Sequence, residues 1–180
     1  SGSKIRPSHR DATTKPFPAL QMASSVHYLL DTNAVLQEPE VLAAARQRKL
    51  IIPKSVLAKL ATLNREHSRK VVGALVNDAI AAGAEVVETP PHIHCEPLAA
   101  DLAAHRLTPS AMEVARTAIG LAEGGKAVCV VTLDKPLGDF LATRKIRSLP
   151  PAAFLEEGKS ETADAALLTS AKSYAAGRNR

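Results

Sequence analysis

The feature that most constrains this chain is the run Ala127-Val128-Cys129-Val130-Val131-Thr132, apolar until its last residue. A strand with one wet face alternates apolar and polar side chains. An unbroken apolar run of strand length therefore belongs to a strand covered on both faces, as at the centre of a parallel sheet. Gly124-Gly125 stops whatever precedes it, and Asp134 stands just past its end. The stretch Val26-His27-Tyr28-Leu29-Leu30-Asp31 repeats the design: a short apolar run, too short for a core helix, tipped by a carboxylate. Leu50-Ile51-Ile52-Pro53, the weaker Glu85-Val86-Val87-Glu88, and Lys145 to Leu149 halted by Pro150-Pro151 bring the strands to about five.

Helical segments separate these strands. Glu38-Pro39-Glu40 opens a short helix to about Gln47, with proline near N1 and acids in the first turn. Lys54 to Leu63 places Val56, Leu57, Leu60 and Leu63 on one face. A longer helix from about Ser68 to Ala82 carries a wide stripe of Val71, Val72, Leu75, Val76, Ala79 and Ile80, and Gly83 ends it. Thr108 as N-cap and Pro109 at N1 start a helix to about Glu123, and another begins near Pro136 with Leu137, Phe140 and Leu141 inward. Residues 89–106, with prolines, three histidines and room for one short helix, are the least legible. Strands alternating with helices specify an α/β domain: a parallel sheet of about five strands with helices on both faces, a three-layer sandwich.

We assign this domain to residues 25–155. Residues 1–24 form a flexible basic arm whose first residues, Ser1-Gly2-Ser3, read as a cloning scar. Residues 156–180 form an Ala-rich tail, either disordered or a marginal helix over about 161–175. Hydrophobic residues make up 46% of the chain, which excludes wholesale disorder, while 3% aromatics with no Trp weaken any scheme based on aromatic base-stacking platforms. Cys95 and Cys129 are read as reduced thiols in an intracellular protein, with cytoplasm and nucleus not distinguished. No apolar run is long enough to span a membrane.

In a parallel sheet, ligands bind in the crevice outside the carboxyl ends of the strands. Asp31 and Asp134 occupy equivalent places after two such strands, and that recurrence is the strongest functional signal in the sequence. Two roles are open to Asp31: a chemical one, or merely capping the helix that follows.

The segments Tyr28-Leu29-Leu30-Asp31-Thr32-Asn33-Ala34-Val35-Leu36, Leu50-Ile51-Ile52-Pro53-Lys54-Ser55-Val56-Leu57 and Val130-Val131-Thr132-Leu133-Asp134-Lys135-Pro136-Leu137 resemble, in order and spacing over about residues 26–150, the motifs of PIN domains. The resemblance implies an α/β/α nuclease fold and, for most members, Mg²⁺- or Mn²⁺-dependent cleavage of RNA by converging carboxylates. Carried over residue by residue, Asp31 matches the first family acid and Asp134 the fourth, with Asp139 as an additional candidate. The glutamate of a Val-Leu-x-Glu-Leu pattern is replaced in Val56-Leu57-Ala58-Lys59-Leu60 by Lys59. Ala111 stands in Thr108-Pro109-Ser110-Ala111-Met112 where an aspartate belongs. Glu66 and Glu113 are poorly placed to substitute. Mg²⁺ can be held by one or two carboxylates plus substrate phosphates, so Asp31 and Asp134 do not forbid weak metal binding. Lys59 opposes it: at about 5 Å and an effective dielectric near 20, an ammonium and a divalent cation repel by roughly 7 kcal/mol before the side chain swings away. The expectation is a degenerate site with no cofactor, or weak Mg²⁺ or Mn²⁺.

The formal charge is +5, yet Arg46, Arg48, Lys49, Lys54, Lys59, Arg65, Arg69 and Lys70 face one acid, Glu66, over residues 46–70. Arg144, Lys145 and Arg147 form a second cluster. A basic run of this kind is often only a solvated helix face. On a nuclease-like fold it reads as a phosphate-tracking surface. Three functions follow: an RNA-binding or scaffold module in an RNA-processing assembly with little or no catalysis, a surviving endoribonuclease using Asp31 and Asp134, or a protein-interaction module. His92-x-His94-Cys95 lacks the second ligand pair a zinc site needs. No phosphate-binding glycine loop is present.

Overall fold

The computed structural model describes residues 25–63 and 70–162. The basic arm, Arg65, Glu66, Arg69, the side chain of Lys70 and the tail beyond residue 162 lie outside the described residues. Five strands form one sheet: β1 His27–Leu30, β2 Lys49–Pro53, β3 Glu85–Val87, β4 Val128–Val131 and β5 Arg147–Leu149. Their spatial order is β3-β2-β1-β4-β5, and every pairing is parallel. All five expected strands are present. β1 and β4, the two apolar runs, pair in the middle with Leu30 opposite Val131.

The helices are α1 Thr32–Gln37, α2 Lys54–Leu63, α3 Lys70–Ala81, α4 Glu96–Ala104, α5 Pro109–Glu123 and α6 Lys135–Thr143, followed by α7 over residues 151–162. Among the described residues, two 3-10 segments, Pro39–Arg46 and Pro91–Ile93, lie in the connections. The chain winds outward from β1 to β3 in one direction and from β4 to β5 in the other. Right-handed crossovers therefore place the helices of the two halves on opposite faces. Pro39–Arg46 packs with α3, and α5 packs with α2, β4, α6 and the Pro91–Ile93 segment.

Some expectations change in detail. The segment after Glu38 is 3-10 rather than α-helical, and α1 precedes it as a separate turn-and-a-half of helix. Of the α3 stripe, Val76 and Ala79 are buried, but Val71 and Ile80 at its margins are exposed, because the stripe is wider than the neighbour it packs on. The domain limit set at residue 155 falls inside α7, which begins at Pro151 and continues past it.

α7 is anchored by an unexpected residue. Arg48 was read as part of the phosphate-tracking surface, but its side chain is 4% exposed. The guanidinium carbon lies 4.9 Å from the Tyr28 ring centroid and 4.7 Å from that of Phe154. Nη1 donates to the Phe154 carbonyl at 2.9 Å, and Nε donates to Glu161 Oε2 at 3.1 Å. Arg48 is thus a structural clamp and has to be removed from any nucleic-acid surface. The exposed Glu161 end of the pair adds little; the ring contacts and the bond to a buried carbonyl carry the stabilisation. Arg48→Ala is expected to cost about 2–3 kcal/mol in urea unfolding. It should also raise amide exchange over 151–162 before the sheet opens, and Arg48→Lys, lacking the planar fork, should recover little of either.

Candidate functional site

The order β3-β2-β1-β4-β5 reverses direction between β1 and β4. At such a switch point the connections leave on opposite faces and open a crevice beyond the carboxyl ends of the strands. Asp31 follows β1 there, and Thr132, Leu133 and Asp134 follow β4. The sheet's own ladder continues to their backbones: the Asp31 N–H donates to the Val131 carbonyl at 3.1 Å, and the Thr132 N–H to the Leu149 carbonyl at 3.0 Å.

One hydroxyl joins the two acids. Thr132 Oγ1 donates its proton to Asp31 Oδ2 at 2.8 Å and accepts the Asp134 N–H at 3.0 Å. The second bond is a local turn of the kind threonine forms with the residue two positions on. Asp134 in turn caps α6: its Oδ1 accepts the Leu137 N–H at 3.0 Å. The roles proposed from sequence are therefore redistributed. Asp31 sits at the N-cap position of α1 with extended backbone but makes no side-chain capping bond, while Asp134 is a true cap. Thr132 was missed as a site residue. Its signal was available: a hydroxyl two residues before an aspartate at a strand end is the pattern of such a turn.

Asp31 is 3% exposed. Burial raises its pKa above the ordinary carboxylate range, and the neighbouring Asp134 pushes the same way. The Thr132 hydroxyl, the Thr32 backbone N–H and the Lys59 ammonium oppose the rise without cancelling it. Lys59, exposed on α2, makes the smallest of these contributions. At the other expected position, Ala111 is 2% exposed, and its N–H is bonded to the Thr108 cap at 3.2 Å.

Asp139 lines a shallow depression of about 350 Å³ with Thr132, Asp134, Lys135 and Ser148, but its carboxylate is held by Lys135 at 2.6 Å. Glu113 is engaged by Arg116 at 2.6 Å and by the Thr89 hydroxyl at 3.4 Å. Among the described residues, no three His, Cys, Asp or Glu side chains converge in a way that could hold a metal ion. The donor set is two carboxylates, each with one oxygen already committed to a protein hydrogen bond. This does not fit a resident metal ion; the pair could contribute to a shell only together with substrate phosphate oxygens and water.

The basic residues do not form one surface. Lys54 and Lys59 lie on α2, beyond the carboxyl end of β2, on the side of the acids; Lys54 also pairs with Glu88 at 3.4 Å. Arg46, Arg48 and Lys49 lie at the amino end of β2. Arg144 and Lys145 precede β5 at that same amino end, where Arg144 is bound to Asp101 at 2.5 Å and lies over the Phe140 ring.

The family profile described as PIN domain matches residues 28–139. The chain belongs to the PIN domain family. The crystal structure of PAE2754 from Pyrobaculum aerophilum is similar at 16% identity and a TM-score of 0.51, covering 73% of this chain and 94% of that one. VapBC2 from Rickettsia felis, solved bound to a DNA fragment from its promoter, is similar at 14% identity and 0.49, covering 69% and 98%. The PIN domain of RRP44 from T. brucei is similar at 13% identity and 0.49, covering 81% and 88%. At these identities the likeness concerns the fold. Comparison with curated protein sequences gives no match. Among the described residues, no helix of this PIN domain is long and apolar enough to cross a membrane.

The raised pKa of Asp31 has a consequence for stability. The folded chain holds the Asp31 proton more tightly than the unfolded chain does. This group's contribution is therefore most favourable in acid and is lost as pH rises from the ordinary 3.8 through the raised value. Asp31→Asn keeps an acceptor for Thr132 and removes the buried charge. Thermal unfolding should show the variant more stable than wild type at neutral pH, with the gain shrinking as pH falls towards about 4.

Proposed function

We propose that this PIN domain binds RNA across the carboxyl ends of β1, β2 and β4 and cleaves it weakly or not at all, serving as an RNA-binding or scaffold module in an RNA-processing assembly. The observation that carries this reading is Lys59. It stands exposed on α2, beyond the carboxyl end of β2, at the place where the family resemblance implies an acid, and it weakly opposes the rise in the Asp31 pKa. A cation delivered by the chain itself partly neutralises the carboxylate pair, repels a divalent ion, and offers a contact to a phosphate. Lys54, at the start of α2, adds a second exposed cation at this end of the sheet. Ala111 supports the same reading, since a buried methyl cannot replace the missing carboxylate.

The binding is electrostatic and so falls with salt. For a single strand, each phosphate contact contributes about 0.7 to the slope of log K against log salt. The double variant Lys54→Glu/Lys59→Glu is expected to bind RNA at least tenfold more weakly, with the slope reduced by roughly 1.4. Fluorescence anisotropy across a salt series measures both. Equal binding by the two proteins would remove the RNA-binding face from this end of the sheet.

A second reading, residual Mg²⁺- or Mn²⁺-dependent endoribonuclease activity using Asp31 and Asp134, is favoured by one observation. Asp31 is buried beside Asp134, and the Thr132 hydroxyl, the Thr32 N–H and Lys59 together do not cancel the rise in its pKa, so the Asp31 carboxylate retains a demand for positive charge. Incubating labelled RNA with Mn²⁺ separates the two. On our reading, wild type cuts no faster than Asp31→Asn, whereas Lys59→Glu/Ala111→Asp, which restores the acids, gains metal-dependent cleavage. Cleavage by wild type that vanishes in Asp31→Asn supports the second reading instead.

A further inference from the structure

Between α7 and the 3-10 segment Pro39–Arg46 lies a groove of about 540 Å³. Ala43 and Ala44 on one wall and Ala152 and Leu155 on the other make it mainly apolar. Both walls run from the carboxyl end of the sheet to its amino end. Pro39–Arg46 leads from α1, beyond β1, to the start of β2. α7 starts just after β5, and its Glu161 meets Arg48 just before β2. At about 2.0 Å per residue, the wall from Glu40 to Gln47 gives the groove a length of about 14 Å.

The rim is acidic, and unevenly so. Glu38 and Glu40 stand at the carboxyl-end mouth and pair with no cation among the described residues. Glu156 is already held by Lys159 at 2.7 Å. The groove therefore suits an apolar segment that carries a cation at one end.

We infer that the occupant is this chain's own segment Lys15-Pro16-Phe17-Pro18-Ala19-Leu20, with Phe17 and Leu20 between the walls and Lys15 at Glu38 and Glu40. Attachment, length and charge all favour it. β1 begins at His27, at the amino end of the sheet. The ring of the next residue, Tyr28, lies 4.9 Å from the Arg48 guanidinium carbon, and Arg48 lines the groove. Ten residues from Ser25 back to Lys15 reach up to about 33 Å, enough to turn at the amino end and run the whole groove. Residues 16–26 carry no charge, so Lys15 is the first cation met along that path, at the far mouth where the unpaired acids stand.

Lys15 and Phe17 each precede a proline, which biases both towards extended backbone and lowers the cost of ordering them in a narrow groove. The C-terminal tail is a poorer match. It starts beside the groove at Thr162, but its first charge is Asp164 and its first cation Lys172. In the inferred register the residues before Lys15, Arg10 and Arg6 among them, leave the groove at the carboxyl end of the sheet, the end that holds Asp31 and Asp134.

Nuclear magnetic resonance on the isotope-labelled full-length chain tests this. Docking is expected to give the Phe17 and Leu20 amides order parameters of about 0.85, against below about 0.6 for an undocked arm. The Phe17 ring is expected to show nuclear Overhauser contacts to the Ala43 and Leu155 methyls. Glu38→Lys/Glu40→Lys is expected to bring both order parameters below about 0.6, and adding Lys15→Glu to restore them. Unchanged thermal unfolding verifies the fold of these variants. Phe17→Ser alters nothing within residues 25–162 and is expected to release Leu20 in the same way. Order parameters below about 0.6 in wild type overturn the inference. So do contacts from the tail or from a second chain, in place of the arm, at Ala43 and Leu155, and so does order that survives the reversed acids or is not restored by Lys15→Glu.

Discussion

A single hydroxyl proton organises the functional end of this PIN domain. Thr132 Oγ1 has one hydrogen to give and lone pairs to accept with, and both capacities are used, towards Asp31 and towards the Asp134 backbone. The two acids come from segments about a hundred residues apart in sequence. The pairing of β1 with β4 brings the segments together, but pairing alone sets only backbones. The threonine converts strand register into side-chain position: it turns the Asp31 carboxylate inward and starts the turn from which Asp134 caps α6. The start of α6, the burial of Asp31 and the shape of the neighbouring depression follow from it.

Electrostatics then decide what this end can do. Burying a carboxylate beside another is costly unless a positive charge compensates. In a metal-dependent site a divalent ion supplies that charge. Here the chain supplies one charge on a flexible, exposed side chain, Lys59, and the compensation is incomplete because the Asp31 pKa remains raised. An ammonium can swing out to meet a phosphate, whereas it cannot polarise a phosphodiester and activate water in the manner of a metal ion. On the proposed reading, Lys59 in the place of an acid moves the balance from chemistry towards binding.

Much of the fold was legible because its signals are local. Apolar runs of strand length, proline and threonine at helix starts, and glycines at helix stops each act within a few residues, and they placed all five strands and α2, α3, α5 and α6. Asp31 and Asp134 were legible for the same reason, each ending an apolar run. What escaped depends on distant partners. The burial of Arg48 is set by Phe154 and Glu161, 106 and 113 residues away, so in sequence it looks like one more member of a basic run. α7 escaped because Pro150-Pro151 signals a stop to the strand and equally the first turn of a helix. Phe154, fully buried, decides between them only once Tyr28 and Arg48 are in place. Thr132 looked like a strand residue until its turn was seen.

The basic run over residues 46–70 shows why sequence proximity is a poor guide to a charged surface. β2, Lys49–Pro53, lies in its middle. At about 3.3 Å per residue the strand puts roughly 13 Å of buried sheet between Lys49 and Pro53. It delivers the charges before it to the amino end of the sheet and those after it to the carboxyl end. At the amino end Arg48 is consumed by the α7 clamp and Arg144 by Asp101, so that end uses cations to hold the fold together. At the carboxyl end Lys59 only weakly opposes the rise in the pKa of the buried Asp31. The same residue types, divided by one short strand, serve stability at one end and, on the proposed reading, recognition at the other. Lys54 and Lys59 on α2 and the carboxylates Asp31 and Asp134 belong to that second end.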